Sequence, residues 1–523
     1  MARDHAQVVI VGAGAAGSVF AAVLAEAGRE VRVLETGPVR RLEDFYSSQL
    51  WARRLKWAVP HVAEATRDPV WFNLNAGRGY GGAAAHHFAV WPRMHADDFK
   101  LRSTFGKGLD WPLDYADMQP WYDRVQDDVG IAGDAAAEVW RPPGAPYPLP
   151  PVPRFAQGEV LAKGFTAAGL RVAPIPVAVL TRPYKGRPPC IWDGWCEAGC
   201  PTGALANPLA TYLPRATAAG ARLQPGCHVT RVLTDTSGRR ATGVEYVDDK
   251  GSRRELGADV VVLAAFGVEN VRILLNSASD SHPAGLANSS GTVGRYLTCH
   301  PSVFTFGLFD ADLQNYMGLS GGQIFSHEHW TKTGRDGAFG SRQYEAAMAI
   351  KPNDLLGIAM SRADLFHRDL ERFMQRAARG LGQMVAVCED MPLVENRIEL
   401  DERRDAHGLR LARIHYQTSP DGLGLWREAV TEGERIMKAA GATEVWHGPK
   451  VAQHLMGGTI MGKDPGASVT DSYGRTHDVA NLFIGGGGLF PTSSAVNSTY
   501  TIHALALRAA SRLRDDQAAL RTR

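Results

Sequence analysis

At 523 residues the chain exceeds one ordinary domain and has material for a large core, so two interleaved domains are the starting expectation. A net charge of +2 and 8% aromatic residues point to neither nucleic acid nor a polyanionic partner. Six cysteines are too few for a disulfide scaffold, and no window approaches the 18 consecutive apolar residues of a membrane span.

The first predicted elements read as strand, tight turn, helix, strand. Residues 8–11 are an apolar β-prone run, and Gly12, Gly14 and Gly17 then supply G-x-G-x-x-G ahead of an Ala-rich helix that Gly28 stops. Gly12 permits the turn, Gly14 lets the backbone approach a pyrophosphate, and Gly17 lets helix and strand pack closely. A diphosphate would sit on the unpaired N–H groups of the helix start. The second strand, 31–34, ends in Glu35, 21 residues after Gly14, where a carboxylate accepts from ribose hydroxyls. An acid there disfavours the phosphorylated ribose of NADP and leaves NAD and FAD both open. The opening residues lead into this strand without the apolar core of a signal peptide, so a cytoplasmic protein is expected.

Further along, the Pro-rich stretch 141–154 reads as an extended surface connection. Residues 205–268 are again αβ-like: a helix near 210–219, then strands near 228–234, 241–248 and 260–265. From 301 to about 448 short apolar runs at 303–308, 344–350, 383–388 and 397–400 suggest a mostly antiparallel sheet, interrupted by a helical 362–380. Nucleotide-domain character returns at Ala452. The simplest architecture is an α/β fold: a Rossmann-like dinucleotide-binding domain in three pieces (1–95, 205–300 and 450–523) with an inserted β-rich α+β substrate-binding domain (96–204 and 301–449).

The closing residues carry a resemblance. Residues 454–462 (HLMGGTIMG), 469–471 (VTD), 481–492 (NLFIGGGGLFPT) and 497–499 (NST) resemble the C-terminal signature of the glucose–methanol–choline (GMC) flavoprotein oxidoreductases. Residues 78–87 (RGYGGAAAHH) and 288–295 (NSSGTVGR) look like the family's second and third flavin segments. The resemblance runs in order through the whole chain. The all-Gly form at 485–488 and the His-bearing 81–87 look closest to pyranose oxidases and bacterial glycoside oxidases. One departure stands out: Gly486 occupies a position where the family usually has Asp.

The resemblance implies FAD, held by Gly12, Gly14, Ala15, Ala16, Gly17, Glu35, Thr36, Arg78, Gly79, Gly82, Ala83, His86, His228, Val229, Ala264, Ala265, Gly487, Gly488, Asn497, Ser498 and Thr499. It also implies that His454 is the catalytic base and that Asn497 hydrogen-bonds the same substrate oxygen. Hydride transfer from an alcohol needs such a base for the hydroxyl proton and an electron sink for the hydride. Imidazole titrates near neutrality and the Asn amide does not, so the two roles are unequal. Asn497 also reads as an N-cap for a helix over 499–510. His86 resembles a place where some pyranose oxidases tether the flavin covalently; the alternative is a flavin-adjacent or structural histidine, with the flavin held non-covalently.

His87, His300, His477 and His503 lack metal-ligand spacing and read as solvated or packed. Cys190, Cys196 and Cys200 offer three thiolates where a closed metal site wants four ligands, so no metal is expected; a packed thiol cluster, with or without one disulfide, is the reading. Within the lid-like stretch 51–57, Trp51 is a candidate for stacking on a sugar face and Arg53 for hydrogen-bonding its hydroxyls. The expected function is oxidation of a secondary hydroxyl of a sugar or glycoside, at the 3- or 2-position of a pyranose, to a keto-sugar. Molecular oxygen, giving hydrogen peroxide, or a quinone would reoxidise the flavin. The alternative is the catalytic subunit of a sugar or polyol dehydrogenase that passes electrons to a cytochrome partner.

Overall fold

The computed structural model describes residues 4–65, 71–72, 74–332 and 337–516. Strand His5–Val11 lies at the centre of a seven-stranded sheet. It pairs in parallel with Val31–Leu34 on one side and with Arg253–Leu263 on the other. Arg222–Gln224 extends the sheet beyond Val31–Leu34. The long strand Arg253–Leu263 changes partner along its length: its start pairs antiparallel with Ala241–Val247, and its end pairs in parallel with Leu482–Ile484. His228–Thr234 closes that edge. Val8, Val9, Ile10, Val260, Val261 and Val262 are all fully buried, as expected for parallel strands covered on both faces. Helices Ala15–Glu26, Tyr115–Val129 and Thr499–Asp515 pack against one another over this sheet.

The second sheet has eight strands. Thr298–Leu308 is its spine, flanked by Leu381–Cys388 on one side and by Glu444–His447 and Val451–Met456 on the other, all antiparallel. Arg342–Ala346 and Ile324–His329 continue it outward. A three-stranded sheet, Arg397–Arg404, Arg410–Tyr416 and His61–Ala65, lies apart. Val451–Met456 thus belongs to the large antiparallel sheet, and the chain rejoins the parallel sheet only at Leu482–Ile484. This places the residues of 451–456 on the seam between the two sheets.

Region 301–448 is more helical than its sequence suggests. The expected helix 362–380 is Arg368–Gly380, preceded by a separate helix Pro352–Ala359. A 20-residue helix, Pro420–Ala439, lies in a region expected to be mostly antiparallel sheet, where no helix was foreseen. Its glycines lower intrinsic propensity, but tertiary packing overrides that. Ser419 accepts a hydrogen bond from the Gly422 N–H at its start, and Pro420 fills the first turn. Gly433 lets the helix lie against the sheet, since a Cβ there would stand 2.6 Å from Thr305 Oγ1. Leu425, Ile436 and Met437 then bury against Leu161, Phe165 and Met384 in a core of their own.

Candidate active site

A single cavity of about 1030 Å³ runs along the seam, from Gly12 and Glu35 to His454. At its nucleotide end, helix Ala15–Glu26 starts from Gly14 with no side-chain cap, so its first N–H groups are unpaired donors. Gly12, at φ +101°, comes so close to the next strand that a Cβ would stand 2.5 Å from the Ala264 carbonyl oxygen. A Cβ on Gly17 would stand 2.0 Å from the Gly12 carbonyl; Gly17 packs the turn and does not line the cavity. Gly14 differs from both: its Cβ would meet only Gly82 Cα, at 3.9 Å, leaving a concave floor beside donors.

Glu35 is 5% exposed. One carboxylate oxygen accepts from the N–H groups of Gly37 (2.8 Å) and Gly79 (2.9 Å), and the other from Ala13 (3.0 Å). Four lone-pair sites less three bonds leave one for a ribose hydroxyl. These features fit a dinucleotide.

Of the expected cofactor residues, Gly12, Gly14, Ala15, Ala16, Glu35, Thr36, Gly82, Ala83, His228, Val229, Ala264, Ala265, Gly487, Asn497, Ser498 and Thr499 line the cavity. Arg78, Gly79, Gly488 and His86 do not. Arg78 instead donates to the Thr36 carbonyl and Gly79 to Glu35, bracing the wall from behind. Gly488 packs on Thr459, whose Oγ1 would be 2.5 Å from a Cβ there.

His86 is fully buried, with neither ring nitrogen hydrogen-bonded and both shielded; burial pushes it down to about 3. His87 lines the cavity in its place. Both of its ring nitrogens are engaged, Nε2 with the Ala206 carbonyl (2.9 Å) and Nδ1 with the Ala89 N–H (3.2 Å). The cavity therefore meets His87 where the sequence pointed to His86.

At the other end His454 and Asn497 face the same space. His454 adopts φ +55°, a left-handed backbone that costs a non-glycine residue energy and concentrates at functional sites. Burial holds its imidazole down at about 4, so the ring is neutral at neutral pH and free to accept a proton. Its Nδ1 lies 2.9 Å from Nδ1 of His300. His300, expected to be a packed or solvated histidine, is fully buried and is a partner of the candidate base.

Asn497 does not cap the terminal helix. Ser498 holds that position, without a side-chain cap bond. The Asn497 Oδ1 instead accepts from Gln343 Nε2 (2.8 Å), which also donates to Glu345 (3.0 Å). Glu345 in turn hydrogen-bonds the Asn497 amide, and burial raises its carboxyl to about 7. The helix Thr499–Asp515 presents uncapped N–H groups to the cavity at this end, a favourable place for negative charge.

The mouth is built from two short helices. Gln49, Arg53 and Lys56 recur at helical spacing along and just after Gln49–Leu55 and face inward. Trp51 is on the other side of that helix, edge-on to Tyr46 at 5.5 Å and packed beside Phe45, Leu55 and Ala85; it does not line the cavity. Gln49 donates to Asp354 of helix Pro352–Ala359 at 2.6 Å, linking the two helices across the opening. Deeper in, Phe88, Phe304 and Met348 supply apolar wall beside Gln383, Gln453 and Glu345.

All six cysteines are free thiols. Burial raises Cys190 to about 12 and Cys196 to about 11, which makes them poor nucleophiles and ligands. Among the described residues no group of three or more His, Cys, Asp and Glu side chains is arranged to hold a metal ion. No described helix is long and apolar enough to cross a membrane.

Two family models, each described as GMC oxidoreductase, match residues 6–302 and 392–506. The chain belongs to the GMC oxidoreductase family. Among its relatives, the 2-methyl-1,2-propanediol dehydrogenase of Mycolicibacterium austroafricanum is 31% identical, over 97% of this chain and 94% of the relative. The fructose dehydrogenase large subunit of Gluconobacter japonicus is 32% identical over 98% of both. The paromamine 6'-oxidase of Streptomyces fradiae is 28% identical over 97% and 91%. Solved structures share the fold. A pyridoxine 4-oxidase from Mesorbium loti aligns over 98% of this chain and 99% of its own, with TM-score 0.66 at 16% identity. A formate oxidase of Aspergillus oryzae aligns over 99% and 100%, with TM-score 0.67 at 14% identity. Family and fold imply FAD as the cofactor of this GMC oxidoreductase, which the Gly12–Gly14–Glu35 cradle accommodates.

Proposed function

We propose that this GMC oxidoreductase oxidises a secondary hydroxyl of a sugar or glycoside, at the 3- or 2-position of the pyranose, to the ketone. The observation that carries the reading is the convergence of His454, Asn497 and a dinucleotide cradle on one cavity. FAD held there by Gly12, Gly14, Glu35 and the two uncapped helix starts, without a covalent bond, supplies the hydride acceptor. His454 takes the hydroxyl proton, and the Asn497 amide holds the same oxygen. Fixed donors aimed at that oxygen cost no reorganisation as its charge develops. Around them the wall alternates apolar faces, Phe88 and Phe304, with Gln383, Gln453 and Arg53, suiting a ring with C–H faces and a hydroxyl rim.

The test is an anaerobic screen of monosaccharides and glycosides for bleaching of the bound flavin, which reports a substrate without assuming an acceptor. Bleaching by pyranosides supports the reading; bleaching only by acyclic alcohols contradicts it. A second reading draws on the 32% identity to a fructose dehydrogenase large subunit: a dehydrogenase subunit that passes electrons to a cytochrome partner. A flavin reduced by sugar that stays reduced in air-saturated buffer would favour that second reading.

A further inference from the structure

We propose that His300 is a positioning residue that fixes His454 in the one tautomer able to act as base, with a bare Nε2 toward the cavity. The inference rests on the reading of His454 as the base. His300 sits on Thr298–Leu308 opposite Gln453 of Val451–Met456, which brings its ring beside the next residue of that strand, His454. The rings meet edge to face, at an interplanar angle of 75°, with the two Nδ1 atoms 2.9 Å apart.

The protons can be placed from the partners. His300 Nε2 lies 3.3 Å from the Ser493 carbonyl oxygen. A carbonyl only accepts, so this nitrogen carries a hydrogen. Burial pushes His300 down to about 3, so the ring is neutral and has one proton to place. That proton is on Nε2, and Nδ1 is therefore an acceptor. The atom facing it, His454 Nδ1, must donate. His454 is neutral as well and has spent its single N–H on His300. Its Nε2 holds a free lone pair, bonded to no described residue, on a half-buried side chain that lines the cavity.

During turnover the substrate O–H bond would break and its proton pass to His454 Nε2; bound FAD would supply the acceptor for the hydrogen that leaves carbon with the C–H electron pair, and a carbonyl would remain. His454 becomes an imidazolium whose Nδ1–H still points at His300 Nδ1, so the ring keeps its orientation and its new charge has an acceptor beside it. Without His300, the proton of the neutral ring is free to sit on Nε2, where it blocks the base. A mis-set tautomer is costly in the Ser-His-Asp enzymes, where replacing the orienting carboxylate by an amide lowers kcat by about 10⁴.

The experiment reads the tautomer directly. In holoenzyme labelled with ¹⁵N-histidine near neutral pH, the His454 signals are identified by their loss in His454→Ala. The expected pattern is a protonated, pyrrole-like Nδ1 and a bare, pyridine-like Nε2. His300→Leu should move His454 toward the Nε2–H form. His300→Asn, whose Oδ1 overlays the Nδ1 position and can still accept from His454, should restore the Nδ1–H form. Anaerobic stopped-flow with D-glucose and phenyl β-D-glucoside should show flavin reduction slowed by about 10²-fold in His300→Leu, with substrate Kd unchanged and substantial recovery in His300→Asn.

An Nε2–H tautomer in the wild type overturns the proposal, as does a tautomer unmoved in His300→Leu. If the leucine variant fails to fold, the wild-type spectrum and the asparagine variant decide. Full-speed reduction in His454→Ala would instead overturn the base assignment, leaving the measured tautomer as it stands.

Discussion

Glu345 offers a stability test that follows from burial alone. Its carboxyl is buried in the cavity wall beside Gln343 and Asn497, and desolvation raises it from 4.5 to about 7. At ~1.4 kcal/mol for each tenfold change in proton affinity, ionising it in the folded protein costs about 3 kcal/mol. Below 4.5 the group is protonated whether the chain is folded or not, and costs nothing. Between 4.5 and about 7 the unfolded chain releases the proton while the folded one keeps it, so stability falls as pH rises. Above about 7 the full cost is present. A protonated carboxyl and an amide both present one acceptor and one donor side, so Glu345→Gln should match the wild type at low pH and exceed it at high pH. With an unfolding entropy of about 2.1 cal/mol/K per residue over the chain, about 3 kcal/mol corresponds to a rise in Tm of about 3 °C. Thermal unfolding of both proteins at ~pH 5 and ~pH 8, at one scan rate, measures the difference. A variant less stable than wild type at the higher pH would refute the reasoning and mark Glu345 as ionised and paired.

Gly14→Ala should leave the apoprotein folded, because only Gly82 Cα at 3.9 Å meets the new Cβ, yet lower FAD content after reconstitution; Gly17→Ala, with its Cβ 2.0 Å from a carbonyl oxygen, should fail to yield folded protein. Similar behaviour of the two would contradict the cradle. The purified protein should be yellow with one FAD per chain and release its flavin on acid precipitation, since the His86 ring is shielded; colour kept in the pellet would contradict this. Elemental analysis should find no stoichiometric zinc or iron, and Cys200→Ser should lower Tm more than the rate of flavin reduction. A peroxidase-coupled assay on pyranosides should detect hydrogen peroxide from the isolated chain; its absence beside a sugar-bleached flavin would move the assignment to a dehydrogenase.

The nucleotide end was largely legible in the sequence because its determinants are local. The strand, the Gly12–Gly14–Gly17 turn and Glu35 lie within 30 residues and build one wall of the cavity. Gly17, Gly79 and Gly488 show the limit of motif reading: each holds a wall in place without lining the cavity. His86 and His87 could not be told apart from their order, because an irregular turn decides which ring points inward. Trp51 and Arg53 fell on opposite faces of a helix too short to announce its phase. What stayed hidden depends on distant pairing. His300 meets His454 through a strand register spanning 154 positions, and Gln343 and Glu345 reach Asn497 from a third strand of the same sheet. Helix Pro420–Ala439 was missed because its glycines lower local propensity, and the close approach of Gly433 to the sheet is something no local propensity records.

The proposed reaction turns on His454 taking the substrate proton in a cavity that also holds FAD. The most direct measurement is anaerobic stopped-flow reduction of the bound flavin in His454→Ala, using a pyranoside that bleaches the wild type. The rate should fall by at least ~10²-fold, with FAD still bound and its visible spectrum intact. Reduction at near wild-type speed in that variant would contradict it.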